Sequence, residues 1–235
     1  MGDNCCRRRG TVLGVGWRNP FAAPAASEAD PLNAYFVILA GGGGSRLGHV
    51  RKAEIRLGGA SLQERVANRL RIDRSAILIS TGAGLSIPSA IGTALPDLDT
   101  PIGGPLAGIL AAAAHLRHQA STDSVLLSVA VDTPFLPEDF ASRLMEPLEH
   151  GARAAKACWR GNAYPTNAAW RLADLQDLPE QASAGPVAPS PRALLAQLGA
   201  VSVDWEATHA SDPFANLNTL ADLIDLSYRV QGSSD

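Results

Sequence analysis

An apolar run that ends in four glycines, with two cationic side chains close behind it, is the part of this sequence best suited to chemistry. The run from Tyr35 to Ala40 leads into Gly41–Gly44, and Arg46 and Lys52 follow. Glycine tolerates positive φ angles and leaves its backbone N–H groups open to a close ligand. The pattern predicts a triphosphate-binding turn in which Arg46 and Lys52 supply positive charge. A flexible turn without a ligand is the alternative.

Two common glycine-rich phosphate motifs do not match this spacing. In the dinucleotide-binding pattern G-x-G-x-x-G, read from Gly41, Arg46 stands in place of the third glycine. In the ATPase pattern G-x-x-x-x-G-K-[ST], read from Gly43, His49 and Val50 replace the lysine and the hydroxyl residue. The turn therefore belongs to another kind of phosphate loop.

A second candidate for chemistry is Asp132, which ends the apolar run 125–131 and precedes Thr133-Pro134. Its carboxylate is expected at the edge of a sheet rather than in the core. There it can hold a magnesium ion, which takes one or two carboxylates together with phosphate oxygens and water. An aspartate that only initiates a turn is the alternative, and the residue type leaves both interpretations open.

The elements that position these residues alternate between strand and helix from Tyr35 onward. Ser61-Leu62-Gln63-Glu64 has the form of a capping box that opens a helix. The other predicted elements are buried strands at 76–80 and 125–131 and helices at 106–119 and 138–150. This order predicts a single-domain, doubly wound, Rossmann-like α/β fold with a mostly parallel sheet. The glycine turn, Ser80 and Asp132 then lie at carboxyl ends of strands, where such sheets bind ligands.

Composition narrows the class of protein. The chain has 235 residues, of which 46% are hydrophobic and 18% charged, so it can bury a substantial core. A net charge of −3 offers no basic surface for nucleic acid. No apolar run approaches the roughly 20 residues of a membrane-spanning helix. Three cysteines without a disulfide framework favour a reducing, cytoplasmic setting. We expect residues 1–33 to form a disordered extension and residues 34–230 to form the folded domain.

Five segments resemble motifs of known nucleotidyltransferases. The segment from Leu39 to Gly48, with Lys52, resembles the signature L-A-G-G-x-x-x-R-M-G…K of that class. The other four resemble motifs of the molybdenum cofactor guanylyltransferases: Gly104-Pro105-Leu106-Ala107-Gly108, Val131-Asp132-Thr133-Pro134-Phe135-Leu136-Pro137, Tyr164-Pro165-Thr166 and Phe214-Ala215-Asn216-Leu217-Asn218-Thr219. The match runs in order from about Tyr35 to Leu226.

The resemblance implies a nucleotidyltransferase fold and a reaction. GMP would pass from GTP to molybdopterin, the molybdenum cofactor, with release of pyrophosphate. The backbone of Leu39-Ala40-Gly41 would contact the nucleotide, and Asp132 would bind both the nucleotide and Mg²⁺. Lys52 and Arg46 would neutralise phosphate charge, so that catalysis consists of positioning and electrostatics without a covalent intermediate.

The same resemblance implies further site residues. Asp97 lies upstream of the G-P-L-A-G segment, where the family has a nucleotide-binding aspartate, and Asp99 is the alternative residue for that position. A carboxylate suits guanine because it can accept from both N1–H and the 2-amino group. Ser80 stands where these enzymes often have Asn, and we expect it at the nucleotide too. The residues expected to bind molybdopterin are Gly104, Gly108, Asn216 and Asn218. A solvated loop carboxylate for Asp97 and Asx-turn roles for both asparagines are the alternatives.

Three positions depart from the family pattern. Arg51 replaces the usual Asp before Lys52, Tyr164 replaces His, and Leu220 replaces the Pro of N-T-P.

Two other functions stay open. One is a molybdopterin cytidylyltransferase, which shares the glycine turn and the Asp-Thr-Pro segment. The other is a catalytically silent nucleotide-binding protein that delivers cofactor, with molybdoenzymes or their chaperones as its partners.

Overall fold

Seven strands form the central sheet in the part of the chain that the computed structural model describes, which is residues 33–41, 43–44, 50–83, 90–185 and 187–232. The strands in chain order are β1 (Ala34–Leu39), β2 (Gly43–Gly44), β3 (Val50–Arg51), β4 (Arg56–Leu57), β5 (Ala60–Ser61), β6 (Ile77–Ser80), β7 (Thr93–Leu95), β8 (Val125–Ala130), β9 (Ala154–Trp159), β10 (Asn162–Arg171) and β11 (Val201–Asp204). The sheet has the order β11-β9-β10-β8-β1-β6-β7, while β2 with β3 and β4 with β5 form short antiparallel pairs.

The centre of the sheet is parallel and aligned at its carboxyl edge. Strand β1 pairs in parallel with β6 on one side and with β8 on the other. Leu39 lies level with both Ser80 and Ala130, so three strands end at the same place. Strand β10 runs antiparallel to β8 and β9. Because the chain order reverses between β6 and β8 on either side of β1, this edge is a topological switch point.

Helices cover both faces of the sheet. Their bounds are α1 (Leu62–Leu70), α2 (Pro105–Leu116), α3 (Phe140–Glu149), α4 (Leu172–Leu175), α5 (Leu178–Ala184), α6 (Pro191–Gln197) and α7 (Leu220–Gly232). Buried residues of α1, α3 and α7 join one apolar core, which also contains Trp205. Those of α2, α4, α5 and α6 join a second core on the other face, around Trp170. This is the doubly wound arrangement.

Local sequence explains where the two helices nearest the site begin. The capping box predicted before α1 is present, because Ser61 Oγ accepts from the Glu64 N–H and the Ser61 N–H donates to the Glu64 carboxylate at 2.7 Å. Helix α2 begins after Gly104, whose φ of 68° favours glycine, and Pro105 occupies the first turn, where no N–H is required. Both helices therefore start at fixed points near the carboxyl edge.

The predicted fold class is confirmed, and the main differences lie after residue 150. Strand β8 and helix α3 fall within the predicted 125–131 and 138–150, while α2 ends three residues before the predicted 119. The antiparallel hairpin of β9 and β10 was not predicted. The described residues contain no helix with the length and apolar character needed to cross a bilayer. Residues 1–32 and Arg46 lie outside the described residues, so their predictions stay predictions.

Candidate active site

Lys52 joins two distant segments at the carboxyl edge of the sheet. Its ammonium lies 2.9 Å from Asp132 Oδ2 and 2.7 Å from Asn218 Oδ1. The Lys52 and Asp132 side chains are 23% and 18% exposed, so the pair is shielded but open to a ligand. Three residues that the sequence predicted separately for phosphate, metal and molybdopterin therefore meet at one point.

The turn that carries Asp132 is held from several sides. The Val131 N–H donates to Leu39 O, and the Leu217 N–H donates to Asp132 O at 3.0 Å. One step earlier, Ala130 donates its N–H to Asn167 Oδ1, and its carbonyl accepts from the Thr133 hydroxyl at 2.7 Å. These bonds fix the backbone on both sides of Asp132, so its carboxylate projects from a rigid strand end.

Asp222 holds the loop that presents Asn218. One of its carboxylate oxygens accepts from the Asn218 N–H at 2.8 Å and the Thr219 N–H at 2.7 Å, while its own N–H donates to Thr219 Oγ1. The backbone hydrogen bond from Asn218 is the main reason that the pKa of Asp222 lies below its ordinary value. Because Asp222 stays ionised, the loop keeps its shape at neutral pH.

Tyr164 fixes the other end of this loop. Its hydroxyl donates to Asp212 Oδ2 at 2.6 Å, and Asp212 also accepts from the Phe214 N–H at 2.8 Å. Burial, and then the bond to Asp212, raises the pKa of Tyr164 above its ordinary value. The tyrosine that replaces the family's histidine thus anchors the loop that leads to Asn218.

A second cluster lies across the carboxyl edge from Lys52. The Ser80 hydroxyl donates to Asp97 Oδ1 at 2.6 Å, and the Asp97 N–H donates to Gly82 O at 3.2 Å. The first glycine of the turn, Gly41, packs against this loop, since a Cβ built there would lie 2.8 Å from the Gly82 backbone. Only glycine permits this approach, which joins the glycine turn to the Ser80–Asp97 pair.

One cavity of about 1340 Å³ connects the two clusters. Eight of the predicted site residues line it: Leu39, Ala40, Gly41, Lys52, Ser80, Asp97, Gly104 and Asp132. Asn216 and Asn218 are not among its described lining residues. Asn218 still reaches the site through Lys52, whereas Asn216, two residues earlier in the same loop, is exposed. Arg51 and Thr166 line the cavity as well.

The position of Gly108 differs from the sequence expectation. We expected Gly104 and Gly108 to let an anion approach the start of α2, and Gly104 does lie at the cavity. Gly108 is buried in α2 instead and is absent from the described lining. A Cβ there would lie 2.7 Å from Ser80 Cβ, closer still to Ser80 Oγ, and 3.1 Å from Leu39 Cδ2. Its structural role is to let α2 pack closely on β1 and β6.

We expect Gly108→Ala to lower the free energy of unfolding. Alanine would favour the helix by about 1 kcal/mol, but overpacking a core typically costs about 1–3 kcal/mol. The contact with Ser80 is shorter than real Cβ contacts allow, so the overpacking cost decides the sign. Urea denaturation measures the change. Gly103→Ala is the control, because nothing lies within 4 Å of a Cβ there, and equal stability of both variants would contradict the packing role.

A magnesium site at Asp132 is compatible with the side chains present. The described residues contain no cluster of three His, Cys, Asp or Glu that could hold a metal alone. Magnesium does not need one, since it commonly binds one or two carboxylates and completes its shell with substrate phosphates and water. Asp132 Oδ2 already has a cationic partner in Lys52. The donor set therefore fits a metal that shares Asp132 with a phosphate ligand.

Sequence reasoning missed the residues that support the site. Asn167, Asp212 and Asp222 touch no predicted ligand, but each holds a segment that carries a site residue. One signal was present, because Thr219-x-x-Asp222 matches the capping-box pattern [S/T]-x-x-[D/E] just before α7. Nothing comparable identifies Asn167, whose partner Ala130 is distant in sequence, or the contact between Asp212 and the equally distant Tyr164.

Comparisons with a protein-family model and with individual proteins point to the same family. The model of the MobA-like NTP transferase domain matches residues 36–202. A molybdenum cofactor guanylyltransferase of Sinorhizobium fredii is 38% identical over 192 residues, which cover 78% of this chain and 85% of that protein. One from Rhizobium meliloti is also 38% identical over 192 residues, covering 80% and 87%.

A solved structure supports the same fold. The crystal structure of molybdopterin-guanine dinucleotide biosynthesis protein A from Archaeoglobus fulgidus superposes with a TM-score of 0.63 at 22% identity, covering 84% of this chain and 99% of that one. At this identity the likeness concerns the fold, while the sequence relatives identify the family. The chain belongs to the molybdenum cofactor guanylyltransferases, within the MobA-like NTP transferases.

Proposed function

We propose that this protein transfers GMP from GTP to molybdopterin and releases pyrophosphate, so that the guanine dinucleotide form of the cofactor is produced. The observation that carries the proposal is the meeting of Lys52, Asp132 and Asn218 at the end of the cavity opposite the Ser80–Asp97 pair. One end offers charge for phosphates, and the other offers a carboxylate for a base. The relatives that bear the name guanylyltransferase support the same assignment.

We place the nucleotide along this cavity. The guanine lies at Asp97, whose carboxylate can accept from N1–H and the 2-amino group. The phosphates lie between the first glycine of the turn and Lys52. Asn218 is on the far side of Lys52, so the second substrate reaches the α-phosphate from the loop that Asp212 and Asp222 hold.

We propose further that Asp132 binds Mg²⁺ together with the nucleotide phosphates. When bound there, the ion would neutralise charge on the phosphoryl oxygens. Lys52 contacts Asp132 at 2.9 Å, and its ammonium can turn to the triphosphate as the nucleotide enters. Asp132 then becomes available to the metal while Lys52 meets the charge that develops on the pyrophosphate.

The chemical step needs neither a covalent intermediate nor a general base from this chain. A terminal phosphate oxygen of molybdopterin attacks the α-phosphorus of GTP, a new P–O bond forms, and the bond to the bridging oxygen of pyrophosphate breaks. A phosphate monoester is ionised at neutral pH, so it requires no general base. The protein supplies positioning and charge neutralisation, which are the main terms in phosphoryl transfer.

Pyrophosphate release tests the proposal directly. Purified protein is mixed with Mg²⁺, molybdopterin and each of the four nucleoside triphosphates in turn. We expect release with GTP alone. Release with CTP would instead identify a cytidylyltransferase. Tight GTP binding without pyrophosphate release would identify a silent nucleotide-binding protein, the function that Arg51 beside Lys52 favours.

We expect Asp97→Asn to weaken the preference for GTP. Losing a hydrogen bond from guanine to a charged acceptor costs about 1.5–3 kcal/mol, whereas ATP and CTP do not make that bond. The ratio of kcat/KM for GTP to that for CTP measures the effect. Asp99→Asn is the matched control, because Asp99 lines the same cavity two residues away. An equal loss with GTP and CTP would assign Asp97 to the phosphates, the metal or folding.

A further inference from the structure

The Ser80 side chain is enclosed and has a single hydrogen-bond partner among the described residues. Ser80 is the last residue of β6 and is 3% exposed. Its hydroxyl donates to Asp97 Oδ1 at 2.6 Å. The Gly108 backbone packs against it so closely that any side chain at position 108 would collide with the hydroxyl. Gly108 packs against one side of the Ser80 hydroxyl and the Asp97 carboxylate lies on the other, so the hydroxyl is restricted to one orientation.

Asp97 depends on this contact for its own orientation. Its N–H is fixed by Gly82 O at 3.2 Å, and the end of β7, two residues before Asp97, is fixed by the bond from the Thr81 N–H to Leu95 O at 2.9 Å. These bonds hold the backbone but leave the carboxylate free to rotate about its side-chain torsions. The bond from Ser80 removes that freedom. Because a carboxylate offers about four acceptor sites, the other oxygen and part of Oδ1 stay open to the cavity.

We infer that Ser80 is a positioning residue for guanine recognition, which holds the Asp97 carboxylate in its base-reading orientation and does not itself contact the nucleotide. The inference rests on the proposed function and refines it, since the sequence had placed Ser80 among the nucleotide contacts. The Ser80 proton is committed to Asp97. A preorganised acceptor binds a planar pair of donors with less loss of rotational freedom.

A double-mutant cycle tests this role. Ser80→Ala, Asp97→Asn and the double variant are compared by kcat and KM with GTP and with inosine triphosphate, which lacks the 2-amino group. We expect Ser80→Ala to raise KM for GTP by roughly tenfold, the worth of one hydrogen bond, with little change in kcat. It should also reduce the preference for GTP over inosine triphosphate. In the Asp97→Asn background, Ser80→Ala should add nothing. Ser80→Cys, which keeps a weak donor at nearly the same size, should restore part of the preference.

The control is another buried serine. Ser124 lies just before β8, is 1% exposed, and its hydroxyl has no hydrogen-bond partner in the part of the chain described. Ser124→Ala should therefore leave KM and the GTP preference unchanged. Thermal unfolding of every variant checks that the fold is intact. A Ser80→Ala effect that is equal for both nucleotides, together with a lower unfolding midpoint, would show a purely structural role and overturn the inference.

The remaining outcomes separate this inference from the function on which it rests. If the wild-type protein prefers GTP and the Ser80 and Asp97 effects add, Ser80 contacts the nucleotide itself and only the inference fails. If the wild-type protein prefers CTP, both fail. If GTP binds without turnover, calorimetric binding of GTP and inosine triphosphate to the same variants replaces the kinetic cycle, and the same additivity criterion decides.

Discussion

Replacing Asp132 by alanine or by asparagine is expected to reduce kcat by roughly a thousandfold or more, because metal stabilisation of phosphoryl charge is worth several kcal/mol. Asparagine keeps the shape and can still accept from Lys52, so its failure would show that the negative charge is what matters. The backbone around Asp132 is held by Leu39, Ala130 and Leu217 and not by its own carboxylate. The fold should therefore survive both changes.

Two measurements check this expectation. Pyrophosphate release at saturating Mg²⁺ gives kcat, and the paramagnetic resonance of Mn²⁺ titrated into the protein with GTP reports metal binding without turnover. Asp123→Asn is the matched control, since Asp123 is an exposed carboxylate at the amino end of the strand that Asp132 follows. Unchanged kcat in Asp132→Ala at saturating Mg²⁺ would remove Asp132 from the metal site.

The sequence was informative wherever local chemistry decides structure. The run 125–131 is apolar except for Ser128 and forms the central strand β8 over Val125–Ala130. A strand that is buried on both faces shows a nearly continuous apolar run and no alternation of polar and apolar residues. The capping box at Ser61 was readable because both of its partners lie within four residues. The placement of Ser80 and Asp132 followed from the rule that parallel strands present their carboxyl ends together.

Contacts between distant residues could not be predicted in this way. Asn218 lies 166 residues from Lys52, and no local pattern shows that its amide meets the ammonium. Asn167 supports Ala130 from β10, next to an irregularity in the pairing of β9 and β10, and the sequence gives no sign of that irregularity. We expected Gly108 to admit an anion because it belongs to the same glycine-containing motif as Gly104. The close contact between Gly108 and Ser80 exists only because α2 packs on the sheet, and the sequence does not show that packing.

Lys52 holds a position from which it can act on both substrates. Its two contacts, to Asp132 and to Asn218, link the carboxylate expected to bind the metal with the loop expected at molybdopterin. Under the proposed function we expect an arriving triphosphate to compete for the ammonium, so that nucleotide binding would free Asp132 for the metal and Asn218 for the second substrate. Removing Lys52 would therefore leave Asp132 open to a divalent ion before any nucleotide has bound.

We expect Lys52→Ala to lower kcat by roughly a hundredfold, because an oriented donor that meets developing charge is typically worth about 3 kcal/mol. The affinity for GTP should fall less, since the ammonium acts mainly on charge that moves to the leaving pyrophosphate. The same variant should bind Mn²⁺ more tightly than the wild-type protein in the absence of nucleotide, since the cation that occupies Asp132 is gone. Lys52→Arg should rescue poorly, because a planar guanidinium does not replace a compact ammonium between two close acceptors.

The control and the competing explanation both lie in this chain. Lys156→Ala removes a lysine on β9 whose ammonium donates to Ala200 O at 3.1 Å, outside the cavity lining, so kcat and Mn²⁺ binding should not change.

Arg51 is the residue that could take over from Lys52, because it precedes Lys52 in the chain and lines the same cavity. If Lys52→Ala stays active while Arg51→Ala is inactive, the arginine neutralises the pyrophosphate and Lys52 only holds Asp132 and Asn218 in place. If both single variants lose activity and only Lys52→Ala gains Mn²⁺ affinity, the two cations share the phosphates and Lys52 alone controls access of the metal to Asp132.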